Sequence, residues 1–412
     1  MERVNAGDTA WVLFSAALVM LMTPALGFFY GGLVRQKNVL STVMHSFVVL
    51  CLVSVQWVLW GYTLAFGPDF HGWGMIGNFA WAGLTGVGLT PNPDYAPTIP
   101  HEAFMVFQMM FAVITPALIT GAFAERKRFK AFVAFSLLWS TVVYDVIAHW
   151  VWGHGGWLAK LGVIDFAGGT VVEIASGSSA LVAAYVLGRR IFYEPGEDVQ
   201  AHDVPMVILG GVLLWFGWFG FNAGSALAAN GVAANAFVNT SIAGSMGAMT
   251  WVTLHWWHRG RPSVVGAVGG SIAGLVGITP GAGYVTPASA IVIGFIASAV
   301  CYGAVQLRDW MKHDDALDVW AYHGVAGFVG IVLTGVFATV LVNPAGANGL
   351  LAGNPRQLGL EVLAGVVVCA YASGMTWVCL KVVNLFIPLR VTESEEAMGL
   401  DLSLHAEAAY RL

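Results

Sequence analysis

Long apolar runs separated by short polar stretches dominate this chain. A helix needs about 20 apolar residues to cross the hydrocarbon core of a bilayer, and the chain offers eleven runs of about that length. They lie near 9–31, 41–66, 102–123, 129–149, 166–188, 204–221, 234–257, 262–280, 286–307, 319–341 and 358–386. The pattern predicts an all-α, polytopic membrane protein with eleven transmembrane helices, of which the eleventh is long.

The composition supports the same class of protein. Of the 412 residues, 58% are hydrophobic and 10% are charged, whereas soluble domains carry roughly 25% charged residues. The 51 glycines favour helices that approach closely through small residues, and Gly266, Gly270 and Gly274 form one such ridge. The net charge of −5 says little about partners, because in membrane proteins the position of each charge matters more than the sum.

The basic residues predict which side of the membrane each loop faces. An odd number of spans puts the termini on opposite sides, and an outside N-terminus assigns 15 of the 18 lysines and arginines to the cytoplasm. These are Arg35, Lys37, Arg126, Lys127, Arg128, Lys130, Arg189, Arg190, Arg259, Arg261, Arg308, Lys312, Lys381, Arg390 and Arg411. Arg3, Lys160 and Arg356 stay outside, as the positive-inside rule requires. We expect a multi-pass protein of the cell (inner) membrane with its C-terminus inside.

The first five spans and the next five have opposite orientations, which favours an inverted 5+5 repeat about an axis in the membrane plane. Asp165 and Asp318 then begin equivalent helices, and each is expected to cap the first free N–H groups of its helix. Glu173 follows Asp165 by eight residues, and His323 follows Asp318 by five. Both side chains are therefore predicted to lie near the midplane.

Glu173 carries the clearest functional signal in the sequence. An ionisable group at bilayer depth costs at least about 2.5 kcal/mol, so it usually faces a protein interior or an aqueous path and has a partner. His323 is the best candidate partner. The residues alone allow two interpretations, either a pair that lines a pore or two buried polar groups bonded to neighbouring carbonyl groups. In the first case the two groups titrate as a coupled pair.

Other candidate chemistry is weaker. Cys51, Cys301, Cys369 and Cys379 show no spacing typical of disulfides or metal sites, and no histidine has metal-ligand spacing, so neither a metal nor a cofactor is predicted. The sequence contains no nucleotide-binding loop and no catalytic triad, which argues against an enzyme. Asp145, near the end of the fourth span, is unexplained by the sequence.

Six separated motifs follow one another along the chain. They are residues 107–111 (FQMMF) with 121–126 (GAFAER), 165–172 (DFAGGTVV), 217–225 (GWFGFNAGS), 237–240 (FVNT), 274–280 (GLVGITP) and 318–324 (DVWAYHG). In this order they resemble the ammonium transporter family (Amt/Mep/Rhesus), and the resemblance covers essentially the whole chain. It implies a homotrimer with one pore in each protomer, and a membrane domain formed by residues 1–390.

The resemblance also implies a role for each pore residue. Substrate recruitment would use Phe107, Trp152 and Ser225, and Phe111 with Phe221 would form the gate. The pore and proton relay would consist of Glu173, His323 and Trp218. Asp165 and Asp318 would give structural support. Aromatic faces supply about 2 kcal/mol to a desolvated cation, far below the tens of kcal/mol that a bare ion loses on leaving water. The family's implied solution is that ammonium gives up a proton, ammonia crosses an apolar pore, and the proton travels separately.

Glu173 departs from the family's usual pattern, in which two histidines form the pore pair. A subset of the family, including some fungal permeases, is similar in carrying an acidic residue at this place. Two behaviours stay open: a Glu–His pair that shares and passes a proton, or a carboxylate that admits an intact cation and weakens the rejection of potassium. We favour the first, because Asp165 already adds negative charge nearby and His323 remains a donor.

Residues 391–412 form an acidic stretch similar to the family's cytoplasmic regulatory tail, which packs on a neighbouring protomer and responds to PII-type signalling proteins. Two rival functions remain, an ammonium receptor with little flux and a Rhesus-like channel for neutral ammonia. The stretch has no kinase or cyclase pattern, which argues against a fused sensor, while Trp152 and Ser225 argue against the gas channel. No nucleic-acid partner is predicted.

Overall fold

The computed structural model describes residues 4–194 and 201–410. Arg3 and Arg411, which entered the charge count, lie outside the described residues. Eleven helices in the described ranges overlap the predicted spans. They are α1 Ala6–Leu33, α2 Gln36–Phe66, α3 His101–Phe123, α4 Phe129–Leu161, α5 Gly169–Leu187, α6 Val204–Gly224, α7 Gly231–Arg259, α8 Val264–Ile278, α9 Pro287–Met311, α10 Trp320–Phe337 and α11 Pro355–Phe386. Two short helices follow, α12 Glu393–Met398 and α13 Leu400–His405.

Within the described residues, nine of these helices are long and apolar enough to cross a bilayer. The two that do not qualify are α7, which is long but rich in small and polar residues, and α8, which has 15 residues. The all-helical membrane fold is confirmed, while the count of eleven spans and the sidedness of the termini stay predictions. The described chain contains isolated β-bridges but no extended strand.

Glycines on one helix face allow the closest helix contacts. The predicted ridge on α8 is confirmed, because a Cβ at Gly266 or Gly270 would overlap Trp251 of α7 and one at Gly274 would overlap the backbone of Ala243. On α6, a Cβ at Gly210 would likewise overlap the backbone of α1. Such approaches suit a bilayer, where helices associate through packing rather than through the hydrophobic effect.

The helices α5 and α10 cross at the centre of the bundle. Each begins with a π-helical segment, Gly169–Ile174 in α5 and Trp320–Val325 in α10, and such segments often accompany functional sites. A Cβ at Gly177 would overlap the backbone of Gly324, so the two helices touch main chain to main chain. The matching position of the two segments supports the predicted inverted repeat.

Asp165 and Asp318 do not play equivalent roles at the two helix starts. The Asp165 carboxylate accepts from the backbone N–H groups of Gly168 and Gly169 at 2.8 and 2.7 Å, as expected of a cap. The expectation that Asp318 caps α10 is wrong, because Asp315 accepts from the Trp320 N–H at 2.7 Å. Asp318 has a φ of 58° and pairs with Arg308 at 2.7 Å instead. The positive φ turns its side chain away from the helix start.

Candidate pore and vestibule

A cavity of about 430 Å³ opens beside the N-terminal end of α5, and we call it the vestibule. Its wall includes Gln108, Phe111, Trp152, Asp165 and Ser225. Sequence reasoning missed Gln108, although it is the one polar residue of the 107–111 motif. Its Oε1 is buried and has no hydrogen-bond partner among the described residues, so the amide oxygen is an unused acceptor beside the vestibule.

Trp152 and Ser225 are held in the vestibule wall by backbone hydrogen bonds. The Trp152 Nε1–H donates to the carbonyl of Asp165 at 2.9 Å, and the Ser225 hydroxyl donates to the carbonyl of Phe221 at 2.8 Å. Because the serine proton is used in that bond, the oxygen lone pairs remain to accept N–H groups from a cation. This part of the wall can bind a small hydrogen-bonding cation beside an aromatic face.

Phe107 lies behind the vestibule rather than in its wall. It is fully buried, and its ring centroid is 5.0 Å from that of Phe111. Phe111 makes the edge contact with Trp152, at a centroid distance of 5.9 Å. The structure therefore brings Phe111, not Phe107, next to the predicted recruitment residues.

Phe111 and Phe221 form a closed aromatic plug. Their rings stack at a centroid distance of 4.3 Å and an interplanar angle of 29°, and each side chain is 1% exposed. Phe111 borders the vestibule, whereas Phe221 borders a second cavity on the far side. The stacked rings therefore lie between the two cavities.

The second cavity, which we call the inner cavity, measures about 10 Å³, room for about one water-sized molecule. Its apolar lining consists of Met22, Leu26, Phe29, Ile114, Leu118, Val172, Leu214, Trp218, Phe221 and Ile272. Trp218 turns its only polar atom away, since Nε1–H donates to Thr279 Oγ1 at 2.9 Å. Among the described lining residues, only Glu173 and His323 offer titratable groups.

Glu173 and His323 meet across the crossing of α5 and α10. Glu173 Oε2 lies 2.7 Å from His323 Nδ1, and the two side chains are 1% and 4% exposed. A carboxylate acts as an acceptor, so this contact puts the ring proton on Nδ1 and leaves the Nε2 lone pair available when the ring is neutral. The pair can hold a proton that arrives at Nε2, because the carboxylate stabilises the imidazolium that forms.

Asp145 is explained by a partner that the sequence did not reveal. It is fully buried at the end of the π-helical segment Ser140–Tyr144 of α4, where Oδ2 accepts from Gln56 Nε2 at 2.8 Å. Gln56 directly precedes the π-helical segment Trp57–Gly61 of α2. This bond joins two irregular helix segments away from the pore, so Asp145 has a structural contact rather than a place in the pore wall.

An ion-pair network lies below the pore helices. Arg190 bonds Asp314 at 2.7 Å and Glu125 at 3.0 Å, and Glu125 also accepts from Arg35. Burial opposes ionisation of Glu125, yet Arg190 and Arg35 outweigh it and hold the pKa of that carboxyl below its usual range. Arg126 adds a third guanidinium to this network by donating to the Asp314 carbonyl at 2.7 Å.

The C-terminal helices pack on the same face of their own chain. Asp401 accepts from the Ser41 N–H at 2.8 Å, and the Leu400 N–H donates to Asn38 Oδ1 at 2.8 Å. The first bond satisfies a free N–H near the beginning of α2, and the second satisfies the first free N–H of α13. The tail is thereby attached to the beginning of α2.

Fold and site together define a multi-pass membrane protein with a vestibule, an aromatic plug and a narrow apolar pore. The family model for the Ammonium Transporter Family matches residues 10–410. An ammonium transporter of Bacillus subtilis is 52% identical over 409 residues, covering 99% of each chain. This chain therefore belongs to the ammonium transporter family, whose members are transporters and not enzymes.

Two solved structures extend the comparison. The crystal structure of Candida albicans Mep2 is 37% identical, with a TM-score of 0.90, and covers 96% of this chain and 88% of its own. A structure described as a sensor Amt protein is 30% identical, with a TM-score of 0.89, and covers 97% of this chain and 98% of its own. The same fold thus occurs in Mep2 and in a protein described as a sensor.

Proposed function

We propose that this protein takes up ammonium in the vestibule, removes one proton, and conducts ammonia through the inner cavity while the proton crosses separately. The observation that carries the proposal is the Glu173–His323 pair, with 2.7 Å between Oε2 and Nδ1, in the wall of an apolar cavity closed by an aromatic plug. Such a cavity suits a small neutral molecule, and the pair suits a proton.

Recognition begins in the vestibule. Ammonium and potassium have similar size and charge, so a charged ring alone separates them poorly, whereas a fixed hydrogen-bond acceptor selects ammonium. The free lone pairs of Ser225 Oγ and the faces of Trp152 and Phe111 supply an acceptor and about 2 kcal/mol of cation–π attraction. Gln108 Oε1 adds a second acceptor.

Proton loss precedes passage through the plug. A bare cation would forfeit tens of kcal/mol of hydration in an apolar pore, and a cavity of about 10 Å³ has no room for its water shell. When one N–H bond of ammonium breaks, its electron pair stays on nitrogen and the proton passes to solvent water in the vestibule, from which it reaches the Glu173–His323 pair separately from ammonia. Ammonia then crosses the plug as a neutral molecule and donates a hydrogen bond to His323 Nε2.

The Glu173–His323 pair carries the proton, so that one positive charge crosses the protein with each ammonia molecule. Protonation at Nε2 gives an imidazolium whose Nδ1–H faces the Glu173 carboxylate, and this pair can release the proton again without moving its heavy atoms. The relay makes transport electrogenic, with one charge moved for each ammonia. We take Asp165 as the support that fixes the start of α5, and thereby the position of Glu173.

Glu173→Gln tests the relay. Glutamine keeps the shape and still accepts from His323 Nδ1–H, but it cannot hold a proton or stabilise an imidazolium by charge. We expect the ammonium-evoked current in proteoliposomes to fall at least about tenfold, with the uptake of ammonia measured in parallel by an internal pH dye. Unchanged current and uptake would refute the relay role of this residue.

Glu361→Gln is the matched control. Glu361 is also fully buried, and its carboxylate accepts from Gln357 at 2.6 Å and from the Ile164 N–H at 2.9 Å, outside the walls of the inner cavity. If the loss of any buried carboxylate impaired the protein, the ammonium-evoked current would fall equally in both variants. A loss confined to Glu173→Gln assigns the effect to the pore.

A sensor is the second candidate function, favoured by the likeness to the structure described as a sensor Amt protein. The same electrical measurement separates the candidates. Ammonium-evoked current supports the transporter, ammonia flux without current supports a neutral gas channel, and ammonium binding without flux supports the sensor.

We also infer the assembly and setting that membership of this family implies. The protein would be a homotrimer in the cell (inner) membrane, with residues 1–390 as the membrane domain. Residues 391–412 would form a cytoplasmic regulatory tail that a PII-type protein can engage. The contacts of Asp401 with α2 and of Glu395 with Arg128 support a tail that packs against the beginnings of α2 and α4.

A further inference from the structure

One wall of the vestibule carries an uncompensated negative charge. Asp94 is exposed on the loop between α2 and α3 and lines the vestibule. The carboxylate of the other aspartate in the wall, Asp165, accepts hydrogen bonds from the backbone N–H groups at the start of α5. No lysine or arginine occurs among the described residues that line the vestibule.

The two asparagines of the vestibule wall have used their amide oxygens as acceptors, whereas the Asp94 carboxylate is unused. Asn230 Oδ1 accepts from the Ala233 N–H at 3.0 Å, and Asn343 Oδ1 accepts from the Ala345 N–H at 3.0 Å. The Asp94 carboxylate has neither a hydrogen bond nor an ion pair with any residue in the described ranges, while its own N–H bonds Asn92 Oδ1. Its full charge therefore acts on the space in front of it.

We propose that Asp94 is an electrostatic attractor that concentrates small monovalent cations at the mouth of the vestibule. This inference rests on the proposed function, because it supplies ammonium to the Ser225–Trp152 site. The attractor selects by charge alone, so ammonium, methylammonium and potassium gather equally. Discrimination is left to the acceptors deeper in the wall.

Elementary electrostatics sets the size and the signature of the effect. A cleft with charge of one sign raises the local counter-ion concentration by about tenfold or more at low ionic strength. The effect reaches about 30 Å at 0.01 M salt and about 3 Å at 1 M. A contribution from Asp94 must therefore fade with salt, whereas a change in packing would persist.

The local potential can be measured without transport. A cysteine at Ala226, another residue of the vestibule wall, reacts with cationic and anionic methanethiosulfonates of similar size, and the ratio of the two rates reports the potential. At about 0.01 M salt we expect Asp94→Asn to lower the cationic-to-anionic ratio at least about threefold, and at about 1 M the ratios should converge. The parent without Ala226→Cys corrects for the four native cysteines.

A second measurement connects the potential to ammonium. At low salt, Asp94→Asn should raise the ammonium concentration for half-maximal current about threefold and leave the maximal current unchanged. Glu102→Gln is the control, because Glu102 is exposed at the start of α3 but does not line the vestibule. It removes the same charge from the same face.

The outcomes distinguish this inference from the proposed function. Three results would each overturn the attractor. The cationic-to-anionic rate ratio could be the same with and without Asp94, or its change could persist at 1 M salt. Glu102→Gln could also change the measured values as much as Asp94→Asn does. If the unmodified protein gives no ammonium-evoked current, the transport proposal fails, and the cysteine rates still decide whether Asp94 attracts cations.

Discussion

Gly327→Ala tests how tightly the backbone sets the pore pair. Gly327 follows His323 by one turn of α10 and faces α5. A Cβ placed there would lie 2.7 Å from the Cβ of Glu173 and 3.3 Å from the carbonyl oxygen of Gly169. Ordinary contact begins at 3.4 Å. The added methyl group therefore requires Glu173 and α10 to separate by about 0.7 Å.

That displacement acts on the bond that the mechanism needs. If it falls along the Glu173–His323 line, it lengthens the distance between Oε2 and Nδ1 from 2.7 Å to about 3.4 Å, beyond the usual range of a hydrogen bond. Overpacking of this kind costs about 1–3 kcal/mol of stability. A misplacement near 1 Å can cost about 100-fold in rate, so we expect the ammonium-evoked current to fall at least about tenfold.

The assay is current in proteoliposomes, normalised to the amount of folded protein from size-exclusion chromatography, together with the thermal unfolding midpoint. Gly374→Ala on α11 is the matched control, since a Cβ there would meet no atom within 4 Å. If Gly327→Ala folds and carries current at the unmodified level, the claim that this glycine fixes the pair is refuted. Reduced stability with unchanged current would refute it equally, because the packing would then be separable from the relay.

Two further predictions concern the ion network below the pore. Glu125→Gln removes the buried counter-charge of Arg35 and leaves Arg190 paired with Asp314 alone, which should cost about 3 kcal/mol of stability and lower the unfolding midpoint in detergent. Because the pKa of Glu125 lies below its usual range, the stability difference should vanish as pH falls through that lowered value, and a pH-independent difference would contradict the ion-pair account. Burial, aided by Arg126, lowers the pKa of Lys127 to about 7. The unmodified protein should therefore lose stability relative to Lys127→Met as pH falls from 10 to 7, and parallel stability curves would contradict this account.

The sequence alone predicted the membrane class and the approximate spans, because hydropathy over about 20 residues depends little on tertiary detail. It did not predict the π-helical segments at the starts of α5 and α10. These segments depend on main-chain contacts such as Gly177 with Gly324, which join distant parts of the chain. The spans predicted for α7 and α8 were not distinguished from the others, although the polar residues of α7 are visible in the sequence; the shortness of α8 became visible only in the structure.

The sequence predicted the part of the site that depends on residue chemistry, and it did not predict the parts that depend on the three-dimensional arrangement of the side chains. A buried carboxylate needs a partner, so Glu173 led to His323 before any coordinates were known. Phe107 and Phe111 lie one turn apart on the same face of α3, so the sequence does not indicate which of the two side chains lines the vestibule. Asp318 was expected to cap α10, but a positive φ leaves that task to Asp315.

The structure also bears on whether a carboxylate in the pore admits potassium. A dehydrated cation needs several oxygen ligands to replace its water, and the described wall of the inner cavity offers it only Glu173 and His323. Ten apolar side chains complete that wall around a volume of about 10 Å³, so one negative charge cannot repay a hydration loss of tens of kcal/mol. We therefore propose that the size and apolar lining of the cavity reject potassium. Under that proposal the Glu173–His323 pair would handle only the proton.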